Sequence, residues 1–246
     1  MSNPKDEIRL DHLPRHIAVI MDGNGRWAKE QGKNRIFGHN HGVTAVRNTA
    51  EACAELGVEF LTLYAFSSEN WNRPEQEVNA LMDLLIQTIK DEMKTLQDNN
   101  ISLSAIGNLS QLPGKCYTRL MEAIDETKAN TGLTLNLALS YSGRWDLTHS
   151  VKKIAEDVKN EVISVNDISE DLIKQYLTTA HIPDPALLIR TSGETRISNF
   201  LLWELAYTEL YFCKKNWPEF TKEDLYQAIL DYQNRERRFG LISEQI

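Results

Sequence analysis

The chain has 246 residues, 41% hydrophobic and 25% charged, which are the values of a globular protein able to bury a sizeable core in one or two domains. Lysine and arginine number 27 against 35 acidic residues, and the net charge of −8 excludes a general nucleic-acid binder while leaving room for an anionic ligand held by a few local arginines. Cys53, Cys116 and Cys213 form no C-x-x-C pair, no run reaches the ~18 apolar residues of a membrane span, and the polar start M-S-N-P-K-D-E lacks the apolar core of a signal peptide. A cytoplasmic, reducing setting is therefore expected, with no disulfide framework.

Residues 1–15 read as a loose polar lead-in. Residues 16–21 are a short apolar run with β-branched members, as in a buried parallel strand. Residues 26–31 suit a short helix that Gly32 ends. Val43, Val46, Ala50, Cys53 and Ala54 recur at helical spacing within 38–56, closed by Gly57. Residues 58–66 are a second strand, and 74–98 a long helix opened by Pro74, with Val78, Leu81, Leu85, Ile89 and Met93 on one face. Strands follow at 101–106 and 133–139, separated by a helix at 113–129. Helices at 145–161 and 170–178, strands at 186–190 and 208–212, and a helix at 222–237 complete the chain. This alternation predicts one α/β domain over residues 16–246, with a central, mainly parallel six-stranded sheet flanked by helices.

The chemistry concentrates in four stretches. In the first, I-A-V-I-M-D-G-N-G-R-W at 17–27, Asp22 stands where a strand ends. Gly23, Asn24, Gly25 and Arg26 follow. Glycines allow close backbone approach, and N–H groups opening into a helix suit an anion. A diphosphate site with a metal-binding aspartate is the expectation, since ligands of open α/β sheets bind at the carboxyl ends of strands. In the second, R-I-F-G-H at 35–39, a helix start puts Arg35 and His39 on one face, and arginine suits phosphate. The third, Y-A-F-S-S-E-N-W-N-R at 64–73, leaves a strand on the same rim and mixes Phe66 and Trp71 with Ser67, Ser68, Glu69, Asn70 and Arg73. In the fourth, residues 189–209, Arg190, Arg196 and Ser198 suit a second phosphate group, and Glu209 is a candidate second ligand for a hard cation such as Mg²⁺.

Several patterns are absent. There is no G-x-x-x-x-G-K-[ST] phosphate loop, no G-x-G-x-x-G with a downstream acidic partner, no G-x-S-x-G elbow and no D-D-x-x-D run.

Several long motifs in order make the chain resemble the cis-prenyltransferases, most closely the bacterial branch that makes undecaprenyl diphosphate. They are H-I-A-V-I-M-D-G-N-G-R-W-A at 16–28, F-G-H at 37–39, L-T-L-Y-A-F-S-S-E-N-W-N-R-P at 61–74, R-T-S-G-E-T-R-I-S-N-F-L-L-W at 190–203, E-L-Y-F at 209–212 and R-E-R-R-F-G at 235–240. The resemblance implies that Mg²⁺ is held by Asp22 with help from Glu209. It implies that Gly23, Asn24, Gly25, Arg26, Arg35 and His39 hold the allylic diphosphate of farnesyl diphosphate. Trp27 and Phe66 would begin a prenyl tunnel between sheet and helices, continued by the 78–93 helix face and by Leu133, Leu135 and Leu137. Ser67, Ser68, Glu69, Asn70, Trp71 and Arg73 would form a loop that closes over the substrates, with Asn70 in proton removal. Arg190, Arg196, Ile197 and Ser198 would hold isopentenyl diphosphate. Arg238 and Gly240 would reach the partner's site in a homodimer, and the product would pass to the inner face of a membrane. Thr195 stands where relatives often carry histidine, which removes any histidine-assisted step there. Two other readings are a phosphohydrolase with Asp22 as nucleophile, which would want an aspartate at Asn24, and a non-catalytic partner subunit, which would lose Asp22 and the arginine clamp.

Overall fold

The apolar run after Arg15 forms strand β1, His16–Ile20, and all five of its residues are buried. In the computed structural model, which describes residues 4–237, five more strands join it: β2 Phe60–Ser67, β3 Ser102–Ile106, β4 Thr134–Tyr141, β5 Leu187–Arg190 and β6 Glu209–Phe212. Their order across the single sheet is β3-β4-β2-β1-β5-β6. Every pairing is parallel, so the sheet is wholly rather than mainly parallel. Helices α1 Asn24–Glu30, α2 Arg35–Leu56, α3 Glu75–Asp98, α4 Gly114–Thr127, α5 Gly143–Lys159, α6 Glu170–Tyr176 and α7 Lys222–Gln233 alternate with the strands.

Helix ends differ from the sequence reading where a cap decides them. Helix α1 starts two residues early because Gly23, at φ +103°, makes the left-handed turn that feeds it. Asn34 accepts from the Phe37 N–H and starts α2 at Arg35. Ser142 caps α5 through the Trp145 N–H, and Asn234 ends α7 four residues short of the expected limit 237. The polar lead-in is anchored: it forms turns at Pro4–Glu7 and Leu10–His12, Ile8 is buried, and Arg9 bonds the Gln233 side chain and main chain.

Both faces of the sheet are covered. Successive β1 residues point to opposite sides, so Ile17 and Val19 join the larger core with α2, α3, α4 and α7, while Ala18 and Ile20 join a smaller one with Leu188, Phe200 and Leu201. The chain reverses its direction of travel across the sheet at β1: β2, β4 and β3 lie on one side, β5 and β6 on the other. The crevice at the carboxyl ends of β1 and β5 is therefore the topological switch point, where such sheets bind ligands.

Candidate active site

Asp22 leaves the end of β1 at that crevice. Its Oδ1 accepts the Gly23 N–H at 2.7 Å, and its Oδ2 lies 2.8 Å from Arg190 Nη2 and 3.6 Å from Arg26 Nη2. The turn has no room for a side chain at Gly23: a Cβ there would stand 2.4 Å from Asn216 Oδ1. Gly25 lets Arg35 pack against the turn, at 3.2 Å from a would-be Cβ to Cζ.

Arg190 ends β5 and is only 3% exposed. Its Nη1 donates to Ser198 Oγ at 2.6 Å and to the Arg196 carbonyl, so the 196–198 segment is wrapped around one buried guanidinium. Ser198 and Asn199 sit at φ +48° and +62°, the tight backbone that this wrapping demands. Ile197 packs into the smaller core. Glu194 pairs with both Arg26, at 2.9 Å, and Arg196, which links the two expected phosphate clamps through one carboxylate. Glu77 of α3 likewise pairs with both Arg35, at 3.2 Å, and Arg73, at 3.0 Å.

The 67–73 stretch is a short helical turn at Ser68–Asn72, seated on the site. Asn70 Oδ1 accepts the Ser67 N–H at 3.1 Å, Trp71 Nε1 donates to Ser140 Oγ at 2.9 Å, and Glu69 accepts from Asn199 Nδ2 at 2.7 Å. Its polar groups thus have structural partners that the sequence did not reveal. Arg73 is drawn below the usual arginine range, first by burial.

Next to this cluster opens a cavity of about 230 Å³. Asn24, His39, Asn70 and Arg73 line its polar end, and Leu85, Ile89, Leu135 and Leu137 are among the side chains of its apolar remainder. Asn24 Oδ1 and His39 Nε2 are buried without a partner in the protein. Burial, then the charge of Arg73, lowers the His39 pKa to about 4, so the ring is neutral at pH 7.

A prenyltransferase family model described as "Putative undecaprenyl diphosphate synthase" matches residues 20–240. The chain belongs to the undecaprenyl diphosphate synthase family. An isoprenyl transferase of Porphyromonas gingivalis is 55% identical over 95% of this chain and 92% of its own length. A ditrans,polycis-undecaprenyl-diphosphate synthase of Aliivibrio fischeri, named as (2E,6E)-farnesyl-diphosphate specific, is 52% identical over 97% and 93%. The crystal structure of lavandulyl diphosphate synthase from Lavandula x intermedia, in complex with dimethylallyl diphosphate, superposes with a TM-score of 0.90 at 37% identity, covering 93% of this chain and 98% of that one.

Within this family member, most expected residues converge on the crevice, while Trp27, Glu209 and Leu133 do not. Trp27 lies outside the cavity: α1 turns its ring onto α2, stacked on Phe37 with ring centres 5.8 Å apart and tilted against His41 at 4.9 Å. Glu209 begins β6, and its register partner is Leu187, itself opposite Ile17 at the amino end of β1. Asp22 is at the other end of the same parallel strands, so the two carboxylates do not meet within one subunit; Glu209 pairs with Arg235 at 2.9 Å instead. Leu133 is buried in the core but does not line the cavity, whereas Leu135 and Leu137 do. Arg238 and Gly240 lie outside the described residues.

Three contributors had gone unread. Trp217 donates from its main-chain N–H to the Asp22 carbonyl and from Nε1 to the Gly42 carbonyl, both at 3.0 Å, clamping the glycine turn against α2. Glu77 and Glu194 each bridge two arginines. The W-P pair at 217–218 was the one local hint, because a large ring beside a proline after a strand is rarely a plain loop.

Proposed function

We propose that this chain is a Mg²⁺-dependent cis-prenyltransferase that adds isopentenyl diphosphate units to farnesyl diphosphate and makes undecaprenyl diphosphate. The observation that carries the reading is a single cavity with two chemistries. Neutral His39, Asn24, Asn70 and Arg73 line one end, beside Asp22 and Arg26, and mostly apolar side chains, among them Leu85, Ile89, Leu135 and Leu137, line the rest. That suits an amphiphile with an anionic head and a hydrocarbon tail. Relatives named as farnesyl-diphosphate specific support the primer.

In this reading the glycine turn, Arg26, Arg35 and His39 hold the allylic diphosphate, and Arg190, Arg196 and Ser198 hold isopentenyl diphosphate. Asp22 fits a Mg²⁺ ion: it is a hard oxygen donor, and Mg²⁺ takes one or two carboxylates together with substrate phosphates. An ion held there by Asp22 would supply charge neutralisation for the departing diphosphate. Arg26 stabilises the same charge as the allylic C–O bond breaks, by preorganised electrostatics worth several kcal/mol, roughly. The isopentenyl alkene attacks the allylic carbon. The proton lost from isopentenyl diphosphate passes to the departing diphosphate, and Asn70, fixed by its bond from Ser67, takes part by positioning that transfer. Closure by the 67–73 turn keeps water from the allylic cation. The assembly is a homodimer in the cytoplasm, with residues 16–246 as its catalytic domain and product delivered to the membrane; no helix among the described residues is long and apolar enough to cross one.

Incubation with labelled isopentenyl diphosphate, farnesyl diphosphate and Mg²⁺, with a chelator control, tests the proposal. Label should enter a solvent-extractable polyprenyl diphosphate only with metal. Release of phosphate from either substrate without chain growth would instead make the protein a phosphohydrolase.

A further inference from the structure

Two ion pairs stitch α2 to α3. Arg35–Glu77 lies at the polar end of the cavity, and Arg47–Glu92 lies further along both helices. From residue 35 to 47 is roughly 18 Å of helix, and from 77 to 92 roughly 22 Å, at 1.5 Å per residue. The two helices therefore run in the same sense, with a staple at each end of an apolar seam. Arg47 Nε donates to both Glu92 oxygens, at 3.0 and 2.9 Å, and Nη2 makes a further bond.

Glu92 is unusual because it lines the cavity as well as the seam. A carboxylate on an apolar wall carries a desolvation cost, and an apolar pair there would hold the helices at least as well. Apolar packing would also be harder to open along a defined line. The opposite wall is made by β2, β3 and β4, which the sheet hydrogen bonds hold together. The helix wall is joined across its seam by side chains, these two ion pairs among them.

A long product needs more room than the cavity holds. An apolar cavity of about 150 Å³ holds one benzene ring, and the cavity here is about 230 Å³. Undecaprenyl diphosphate carries eleven five-carbon units, far beyond that volume. Parting α2 from α3 would give a growing chain that room, and the Arg47–Glu92 pair is a polar link across that seam.

We propose that Arg47 and Glu92 form a clasp in the side wall of the prenyl cavity, and that the clasp sets product chain length by limiting how far α2 and α3 separate. The proposal rests on the cis-prenyltransferase reading. Arg47 belongs neither to the cavity lining nor to the diphosphate clamps, so its replacement leaves the first condensation unaffected.

The test uses the full chain with farnesyl diphosphate, Mg²⁺ and labelled isopentenyl diphosphate, comparing wild type, Glu92→Gln, Arg47→Gln and the exchange Arg47→Glu/Glu92→Arg. Product length is read by reversed-phase chromatography, and the first condensation by single turnover with one equivalent of isopentenyl diphosphate. Each single variant should lengthen the main product by at least one five-carbon unit, and Arg47→Gln, at a residue that does not line the cavity, should keep the first-condensation rate and both KM values within twofold of wild type. The exchange should restore the wild-type length; it also keeps the test alive if a single variant fails to fold. Unchanged lengths in a folded single variant, or an exchange variant that does not restore the wild-type length, overturn the clasp alone. A wild-type chain that makes no polyprenyl product overturns the functional reading, and the clasp with it.

Discussion

Arg190 Nη2 lies 2.8 Å from Asp22 Oδ2, joining the carboxyl ends of β5 and β1 across the switch point of the sheet. The guanidinium is almost wholly buried and the carboxylate about a third exposed, so the pair presents a charged face to the crevice from a rigid base. That contact fixes the spacing between the two proposed diphosphate clamps.

Asp22→Ala should lower kcat about a thousandfold, ~4 kcal/mol, while farnesyl diphosphate still binds. The carboxylate acts most strongly on charge that develops in the transition state. Arg190 keeps Ser198 and the Arg196 carbonyl, so the fold should survive. Rapid-quench turnover and equilibrium binding of the primer check this; lost affinity with preserved turnover per bound substrate would contradict it.

Arg196→Ala should raise KM for isopentenyl diphosphate at least tenfold, and Arg35→Ala should act mainly on the allylic substrate. Arg196 belongs to the segment wrapped around Arg190, whereas Arg35 stands on α2 and shares Glu77 with Arg73. Steady-state kinetics with each substrate varied in turn will separate them. Equal movement of both KM values in both variants would dissolve the distinction.

Asn199→Ala should loosen the 67–73 turn without touching it. Asn199 donates to Glu69 at 2.7 Å and accepts the Arg144 N–H at 3.0 Å, so it ties that turn to the segment around Arg190. Loss of these bonds should cost about 1 kcal/mol of stability. Hydrogen exchange across residues 67–73 should rise in the free protein and fall on adding farnesyl diphosphate with an unreactive isopentenyl analogue. Exchange identical to wild type would show that the turn is held by Trp71 alone.

His16 gives a pH prediction. Its Nδ1–H donates to the Pro183 carbonyl at 2.6 Å, and Nε2 accepts from Thr62 Oγ1 at 2.7 Å, which fixes the neutral ring. Burial holds its pKa at about 4 in the folded chain, against 6.5 ordinarily. Between those values the unfolded chain binds the proton and the folded chain does not, so the group's contribution is intact above pH 6.5 and is lost as pH falls towards 4. Thermal unfolding should show stability dropping over that window by up to about 3 kcal/mol from this residue. A folded His16→Gln variant should have a shallower slope there; an unchanged slope would assign the acid sensitivity elsewhere.

The sequence alone determined the alternation of strands and helices, the single sheet and the positions of most site residues. The reason is local: short β-branched runs, 3.6-residue periodicity and glycine turns state their structure within a few residues. Asp22, Arg190 and the 64–73 stretch were legible because polar chemistry follows directly on an apolar strand. Only the tertiary structure decided the rest. Trp27 faces α2 instead of the cavity, since Phe37 and His41, one turn apart on α2, give its ring a packing surface there. Glu209 is separated from Asp22 by the length of the strands, because β6 runs parallel to β5, a relationship that no window of sequence contains. Glu77, Glu92, Glu194 and Trp217 read as ordinary residues until distant elements meet them. Their partners lie on other helices and loops, and long-range packing, not local spacing, gives each its role.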